Sequence, residues 1–237
     1  MRNNSIILIA VRLKSKRLKK KSIVKLYDKP LIIHLTERVA QSKMCSDVIW
    51  CTSKNKQDDE LEDLAIKNDI KIFRGSEKDV MSRFIEVGDN YKAKNIVRVT
   101  GDNPLTDPEI IDYLIKMHNK NNSDYTYCNT SPIGTRSEII CLNMLKKCYK
   151  LIQDPQSSEY MTWMLNRPDY FKVQILNFPN LKINRPEISL SVDDIDDLNN
   201  VGKIYRNFKK NIPNLETIIK WIDKNPALLK KLTKLKK

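Results

Sequence analysis

Ile6-Ile7-Leu8-Ile9-Ala10, followed closely by Arg12-Leu13-Lys14-Ser15-Lys16-Arg17-Leu18-Lys19-Lys20-Lys21, decides how this chain is read. Five consecutive apolar residues read as a buried strand. The ten residues after Val11 then carry seven cations and no acidic residue. Open α/β sheets bind ligands at the carboxyl ends of their strands, and this basic loop sits at such an end. A compact polyanion is the fitting partner. A nucleoside triphosphate places about four negative charges on three adjacent phosphates and rewards donors that surround them. The alternative is a solvated charge run, and the position at a strand end argues against it.

Outward from this stretch the chain alternates strand and helix. Strands are expected at Ile6–Ala10, Val48–Thr52, Ile70–Phe73 and Ile96–Thr100. Helices are expected from Pro30, over Asp58–Lys67, over Val80–Tyr91 and from Pro108, with Asp107 as an N-cap. This order argues for a three-layer α/β fold, Rossmann-like, around a mostly parallel sheet. The rhythm changes near Asn122. Residues 124–186 are expected to form an inserted α+β subdomain, after which Ile188–Val192 returns to the sheet as a strand. Helices then fill Asp194–Phe208 and Leu215–Asp223. The basic tail, 226–237, is expected to fray.

Composition bounds the function. The 237 residues carry a formal charge of +14, which invites a nucleic-acid reading. The loop supplies seven of those charges and the lysines of 230–237 supply five, leaving +2 on the rest. A nucleic-acid binder usually spreads its cations along a stripe, with aromatics interleaved where bases stack. Neither pattern is present, so no nucleic-acid partner is expected. The five cysteines are odd in number and lack a C-x-x-C spacing, so reduced thiols are expected. With only His34 and His118, a histidine metal site is not expected. No apolar run reaches membrane-spanning length and no secretory pattern opens the chain, so a cytoplasmic protein with no membrane partner is expected.

Five motifs fall in order along the chain. They are Arg12-x-x-Ser15-x-Arg17-Leu18-x-x-Lys21, Asp28-Lys29-Pro30-Leu31, Phe73-Arg74-Gly75-Ser76-x-x-Asp79-Val80, Val97-Arg98-Val99-Thr100-Gly101-Asp102-Asn103-Pro104-Leu105, and Leu190-Ser191-Val192-Asp193-Asp194. Together they resemble the sugar cytidylyltransferases. These include the enzymes that activate KDO and acylneuraminates, and above all the branch typified by spore-coat polysaccharide protein SpsF. The resemblance implies a nucleotide-diphospho-sugar-transferase fold, CTP and an acidic sugar as substrates, Mg²⁺ as cofactor and a homodimer built through 124–186. Tyr125, Tyr127, Trp163, Tyr170 and Phe171 in that segment are aromatics of the kind enriched in interface cores, or else they fill the segment's own core.

The residues can be argued beside the resemblance. Arg12, Arg17 and Lys21 can clamp phosphate oxygens, and Ser15 can donate a hydroxyl. No P-loop pattern occurs and the loop has no glycine, so side chains must replace a backbone cradle. Asp102 and Asp193 each end a strand. Two hard carboxylates facing one triphosphate can hold Mg²⁺; either alone reads equally as a helix cap. The expected catalytic set is Arg12, Arg17, Lys21 and Asp102. The resemblance adds Ala10, Arg74, Ser76 and Gly101 to the nucleotide site, while Asp79 reads also as an N-cap. On the acceptor side it suggests Glu138, from Gly134-x-x-x-Glu138, and Glu159, from Ser158-Glu159-Tyr160. Arg136 stands where the family has Asp, which suggests an acceptor bearing a carboxylate or phosphate, or else a surface arginine. Lys19 replaces the family's loop proline, and Tyr160 replaces a histidine. The rival readings are another nucleotidyltransferase or a glycosyltransferase of the same fold; for the latter, Asp193-Asp194-Ile195-Asp196 is a poor Asp-x-Asp.

Overall fold

The structure, a computed structural model, describes residues 4–152, 161–209 and 211–234. Its strands are β1 Ser5–Ala10, β2 Lys25–Leu26, β3 Lys29–Pro30, β4 Val48–Ser53, β5 Lys71–Gly75, β6 Asn95–Thr100, β7 Tyr125–Cys128, β8 Glu138–Cys141 and β9 Val173–Leu176. The helices are α1 Leu31–Val39, α2 Asp59–Lys67, α3 Val80–Asn90, α4 Pro108–Lys120, α5 Leu142–Leu151, α6 Met161–Leu165, α7 Ile195–Phe208, α8 Leu215–Asp223 and α9 Pro226–Leu232. Seven strands form one sheet in the order β5-β4-β1-β6-β8-β7-β9. Only β8 runs against its neighbours, pairing antiparallel with both β6 and β7. The small β2–β3 hairpin stands apart.

The apolar run of β1 has a direct cause. Ile7 and Ile9 join one buried cluster, with α1, α4 and α7 to α9, while Ile6 and Leu8 join the other, with α3, α5 and α6. A strand covered on both faces has no polar side, so its sequence does not alternate. The layers are therefore helix, sheet, helix. The chain runs from β1 to β4 and β5 on one side, then crosses to β6 on the other side of β1. This reversal opens a crevice at the carboxyl ends of β1 and β6, the usual place for a ligand in such sheets.

Several elements differ from expectation. The three strands within 124–186 extend the main sheet rather than building a body of their own, because β8 bonds directly to β6 through Asn95, Ile96, Val97 and Arg98. Ile188–Val192 is not a sheet strand. It is pinned by single bridges, Ser189 to Ile133 and Ile188 to Thr233. The tail does not fray over its described residues: α9 buries Leu228 and Leu232, Ser189 N–H donates to the Leu232 carbonyl, and Lys234 N–H donates to that of Glu187. Of the five aromatics noted in 124–186, Tyr125 is fully buried and Tyr127 and Phe171 pack on the α3/α5 cluster, whereas Trp163 and Tyr170 face outward.

Caps define the ends of the helices around the crevice. The Asp107 carboxylate accepts from Glu109 and Ile110 N–H at the start of α4 and pairs, fully buried, with Arg38 of α1 at 3.0 Å. Asp79 caps α3 by accepting from Ser82 N–H, as its cap reading required. His34 is a packed side chain of α1, against Tyr205 at 4.4 Å.

His118, in the last turn of α4, is buried with Nδ1 2.9 Å from Thr126 Oγ1. Burial lowers its pKa from 6.5 to about 4. The folded state thus resists protonation that the unfolded state accepts. Stability is full above about pH 6.5, falls as the pH drops, and has lost about 3 kcal/mol from this residue by pH 4. Burial lowers His34 too, so it acts in the same direction. Urea unfolding of the protein between pH 7 and 4 is expected to trace this fall, and His118→Gln to flatten it. An unchanged slope in the variant would remove His118 as the cause.

Candidate active site

The basic loop has no glycine, so what holds it is side-chain burial. Val11 and Leu13 point inward and are buried, while Arg12 and Lys14 alternate outward. Leu13 N–H donates at 2.8 Å to the Asp58 carboxylate, which is itself fully buried and takes the Ser53 hydroxyl. Val11 N–H donates to the Cys51 carbonyl. The loop ends in a short 3-10 turn over Lys21–Ile23, which brings Lys21 back toward the sheet.

A cavity of about 520 Å³ opens at the crevice. Ala10, Arg12, Ser15, Arg17, Lys21, Gly101 and Asp102 line it, seven residues that the sequence assigned to one site. Lys21 Nζ lies 2.9 Å from Asp102 Oδ2 and 3.1 Å from Asp193 Oδ1, and Arg17 Nη2 lies 2.8 Å from that same Asp193 oxygen. Neither aspartate is a helix cap: Asp107 caps α4, and Asp194 caps α7 by accepting from Asp197 N–H. Burial alone would raise the Asp193 carboxyl, but Lys21, then Arg17 and Lys234, outweigh it and hold it below the ordinary aspartate value.

Asp193 owes its place to the segment before it. Val192 N–H donates to the Asp102 carbonyl at 2.9 Å, so the two acidic turns are tied backbone to backbone. Leu190 N–H donates to the Ile133 carbonyl. Gly134, with φ +87°, lies against this segment so closely that a Cβ would sit 2.3 Å from Ser191 N and 2.5 Å from the Leu190 carbonyl carbon. From the other side, Asp197 accepts from Asp193 N–H and pairs with Lys234.

Other expected residues go elsewhere. Arg74 donates to the Ser53 and Asn55 carbonyls and pairs with Asp59 at 2.7 Å and Glu62 at 2.6 Å. It ties β5 to α2 and does not line the cavity. Ser76 does not line it either; its hydroxyl accepts from Asp79 N–H. Arg136 turns its guanidinium onto the Ser131 carbonyl. Glu138 pairs with Arg98 at 2.8 Å and reaches the cavity only through it. Glu159 lies outside the described residues.

Two arginines that the sequence reading passed over line the cavity, Arg83 of α3 and Arg98 of β6. Both were signalled. Arg98 falls between Ile96 and Thr100 on one face of an apolar strand, and Arg83 interrupts the stripe Val80, Phe84, Val87. A charge at an inward position of a periodic element asks for a reason.

A model of the cytidylyltransferase family matches residues 6–183. The chain belongs to the cytidylyltransferase family. The matched residues contain the loop, Asp102 and the arginine pair, while Asp193 lies beyond them. This cytidylyltransferase is 35% identical over 222 residues to an uncharacterised protein of Methanocaldococcus jannaschii, covering 93% of this chain and 91% of that one. It is 32% identical over 210 residues to the spore coat polysaccharide biosynthesis protein SpsF of Bacillus subtilis, covering 86% and 87%. A solved cytidylyltransferase from Leptospira borgpetersenii superposes with a TM-score of 0.87 at 26% identity, covering 99% of this chain and 98% of that one. As a cytidylyltransferase the protein is a nucleotidyltransferase. None of its described helices is long and apolar enough to cross a membrane.

Proposed function

We propose that this cytidylyltransferase transfers CMP from CTP to an acidic sugar of the nonulosonic-acid kind, releasing pyrophosphate, in the synthesis of a surface polysaccharide or glycan. The observation that carries the reading is the meeting of Lys21, Asp102 and Asp193 beside a cavity whose other charged lining residues are all cations. The sugar hydroxyl oxygen bonds to the α-phosphorus, the bond from that phosphorus to the α–β bridging oxygen breaks, and the hydroxyl proton passes to water. Arg12, Arg17 and Lys21 hold the β- and γ-phosphates and stabilise the charge that builds on the leaving pyrophosphate. Ala10, Ser15 and Gly101 shape the floor against which the nucleotide lies.

Asp102 and Asp193 fit Mg²⁺. Their oxygens already stand within about 3 Å of one cation, the Lys21 ammonium, and both side chains are about a quarter to a third exposed. Among the described residues no larger cluster of metal-binding side chains occurs. Mg²⁺ commonly takes only one or two protein carboxylates, with waters and phosphates completing its shell. Bound there, it would offset phosphate charge and favour ionisation of the acceptor hydroxyl. Neither His34 nor His118 lines the cavity, so neither is placed as a base.

A screen of pyrophosphate release crossing the four ribonucleoside triphosphates with sugar acids and sugar phosphates tests the reading. CTP with a sugar acid is expected to give the fastest turnover. Preference for GTP or UTP with a sugar phosphate would overturn it. The reading includes a homodimer through 124–186, supported by the outward Trp163, Tyr170 and Ile175, which are 79%, 63% and 52% exposed. Light scattering at micromolar concentration is expected to give twice the chain mass; a monomer would remove this part.

A further inference from the structure

The two arginines from outside the loop differ from its cations. Within the loop, Lys14 pairs with Glu77, Arg17 with Asp193, and Lys21 with both aspartates. Arg83 has no such partner among the described residues. It is 3% exposed, and its one hydrogen bond to a described residue is a long one, from Nη1 to the Cys51 carbonyl at 3.4 Å. Its Nε is buried without a partner. Its stem lies across the end of β5, where a Cβ on Gly75 would stand 2.7 Å from Arg83 Cγ. Asp58 and Asp79 act on it only from beyond ion-pair distance, and a buried guanidinium without a direct ion pair destabilises a fold, so folding alone gives no reason to keep it.

Arg98 is arranged in the same way at one edge. Nη1 is committed, to Glu138 at 2.8 Å and Thr162 Oγ1 at 3.2 Å, and Thr162 in turn donates to Glu138 at 2.9 Å. Glu138 stands opposite Arg98 in the β6–β8 register, so its carboxylate fixes the guanidinium in place. Nε is buried with no partner, and Nη2 makes no hydrogen bond to a described residue. The Nε–Nη2 edge of an arginine is the edge that takes a carboxylate with two parallel hydrogen bonds. Arg98 and Arg83 both leave a buried Nε unpaired beside a cavity already supplied with four loop cations for phosphates.

We propose that Arg98 and Arg83 form the subsite for the acceptor's carboxylate, Arg98 through its unpaired Nε–Nη2 edge and Arg83 through a guanidinium that makes no ion pair with a described residue, with Glu138 and Thr162 as positioning residues. This rests on the acidic-sugar reading above. It gives Glu138 an indirect place on the acceptor side, and it moves the recognition of the anion from Arg136 to Arg98.

The test separates acceptor from nucleotide. Arg98→Gln leaves Glu138 without its ion pair, so the double variant Arg98→Gln/Glu138→Gln, which removes both charges and keeps neutral hydrogen bonding, guards against a folding defect. Arg83→Gln is the companion. The acceptors are eight- and nine-carbon 2-keto-3-deoxy sugar acids and their carboxamides. The apparent KM for the acid is expected to rise about 30-fold in each variant, the worth of a charged hydrogen-bonding pair. The preference of the unaltered protein for acid over carboxamide is expected to shrink to a few-fold, and Mg·CTP affinity by calorimetry to stay within about twofold. A tenfold loss of CTP affinity would assign the arginines to the nucleotide and overturn the subsite. So would variants that keep both the KM and the acid preference. If the unaltered protein turns over no sugar acid, the functional reading falls and the subsite with it. If it does and the variants are unaffected, the subsite alone falls.

Discussion

Asp102→Asn is expected to lower turnover by about a thousandfold, about 4 kcal/mol in the transition state, while leaving the protein folded. The carboxylate does not cap a helix and is not part of either buried core. Its side-chain contact in the free protein is the ion pair with Lys21. The asparagine has the same shape and keeps an oxygen, but removes one of the two charges proposed to hold the metal against the α-phosphate. Asp193→Asn is expected to act in the same direction. The two together should cost less than the product of the single effects, because both act on one ion. Steady-state pyrophosphate release across a Mg²⁺ titration measures this, with thermal unfolding as the control. Near-normal turnover of Asp102→Asn at low Mg²⁺ would show that the carboxylate serves only to anchor Lys21.

Gly134→Ala is expected to destabilise the protein by about 3 kcal/mol, a fall of roughly 6–12 °C in Tm for a chain of this size. Two causes add. The residue has φ +87°, where an L side chain is strained, and its Cβ would strike backbone atoms of Leu190 and Ser191 rather than a side chain able to move aside. Relief requires that segment to retreat, and the segment carries Val192, bonded to the Asp102 carbonyl, and Asp193. The affinity for Mg·CTP is therefore expected to fall along with Tm. Differential scanning fluorimetry with and without Mg·CTP reads both effects. A Tm within about 2 °C of the unaltered protein would mean that the backbone relaxes there freely. The glycine of Gly134-x-x-x-Glu138, read from sequence as part of a sugar-side motif, thus acts first as a backbone contact beneath an aspartate.

The gathering of the loop and the Asp102 turn at one cavity was legible because its parts are local. A doubly covered strand, the loop leaving it and the Thr100-Gly101-Asp102 turn each carry their signal within about ten residues, and the parallel order brings them together. Asp193, far along the chain, was found by its ending of an apolar run, although that run proves to be held by single bridges and not by the sheet. What stayed hidden depends on partners distant in sequence. The reversal of β8 places Glu138 against Arg98, and no period in either segment announces that pairing. Arg74 was drawn toward the nucleotide by its motif, but Asp59 and Glu62 on the preceding helix claim its guanidinium. The basic tail was expected to fray, yet over its described residues Leu228 and Leu232 bury one face and Lys234 braces Asp197.

Lys21 has a second part to play beside its proposed one as a phosphate ligand. With its ammonium shared between Asp102 and Asp193, it is a tethered counter-ion occupying the seat that a divalent ion would take. If the proposed metal site is right, the lysine is its stopper. A lone cation must evict the lysine into water to bind, whereas one arriving with a triphosphate offers the displaced ammonium a new anion in the same movement. Metal and nucleotide would then be reciprocal keys: each raises the other's affinity by the same factor, which calorimetry of Mg²⁺ with and without CTP measures, and which Lys21→Met should reduce to the part due to direct attraction between metal and phosphates. A site built in this way would stay closed to stray ions until its substrate arrived.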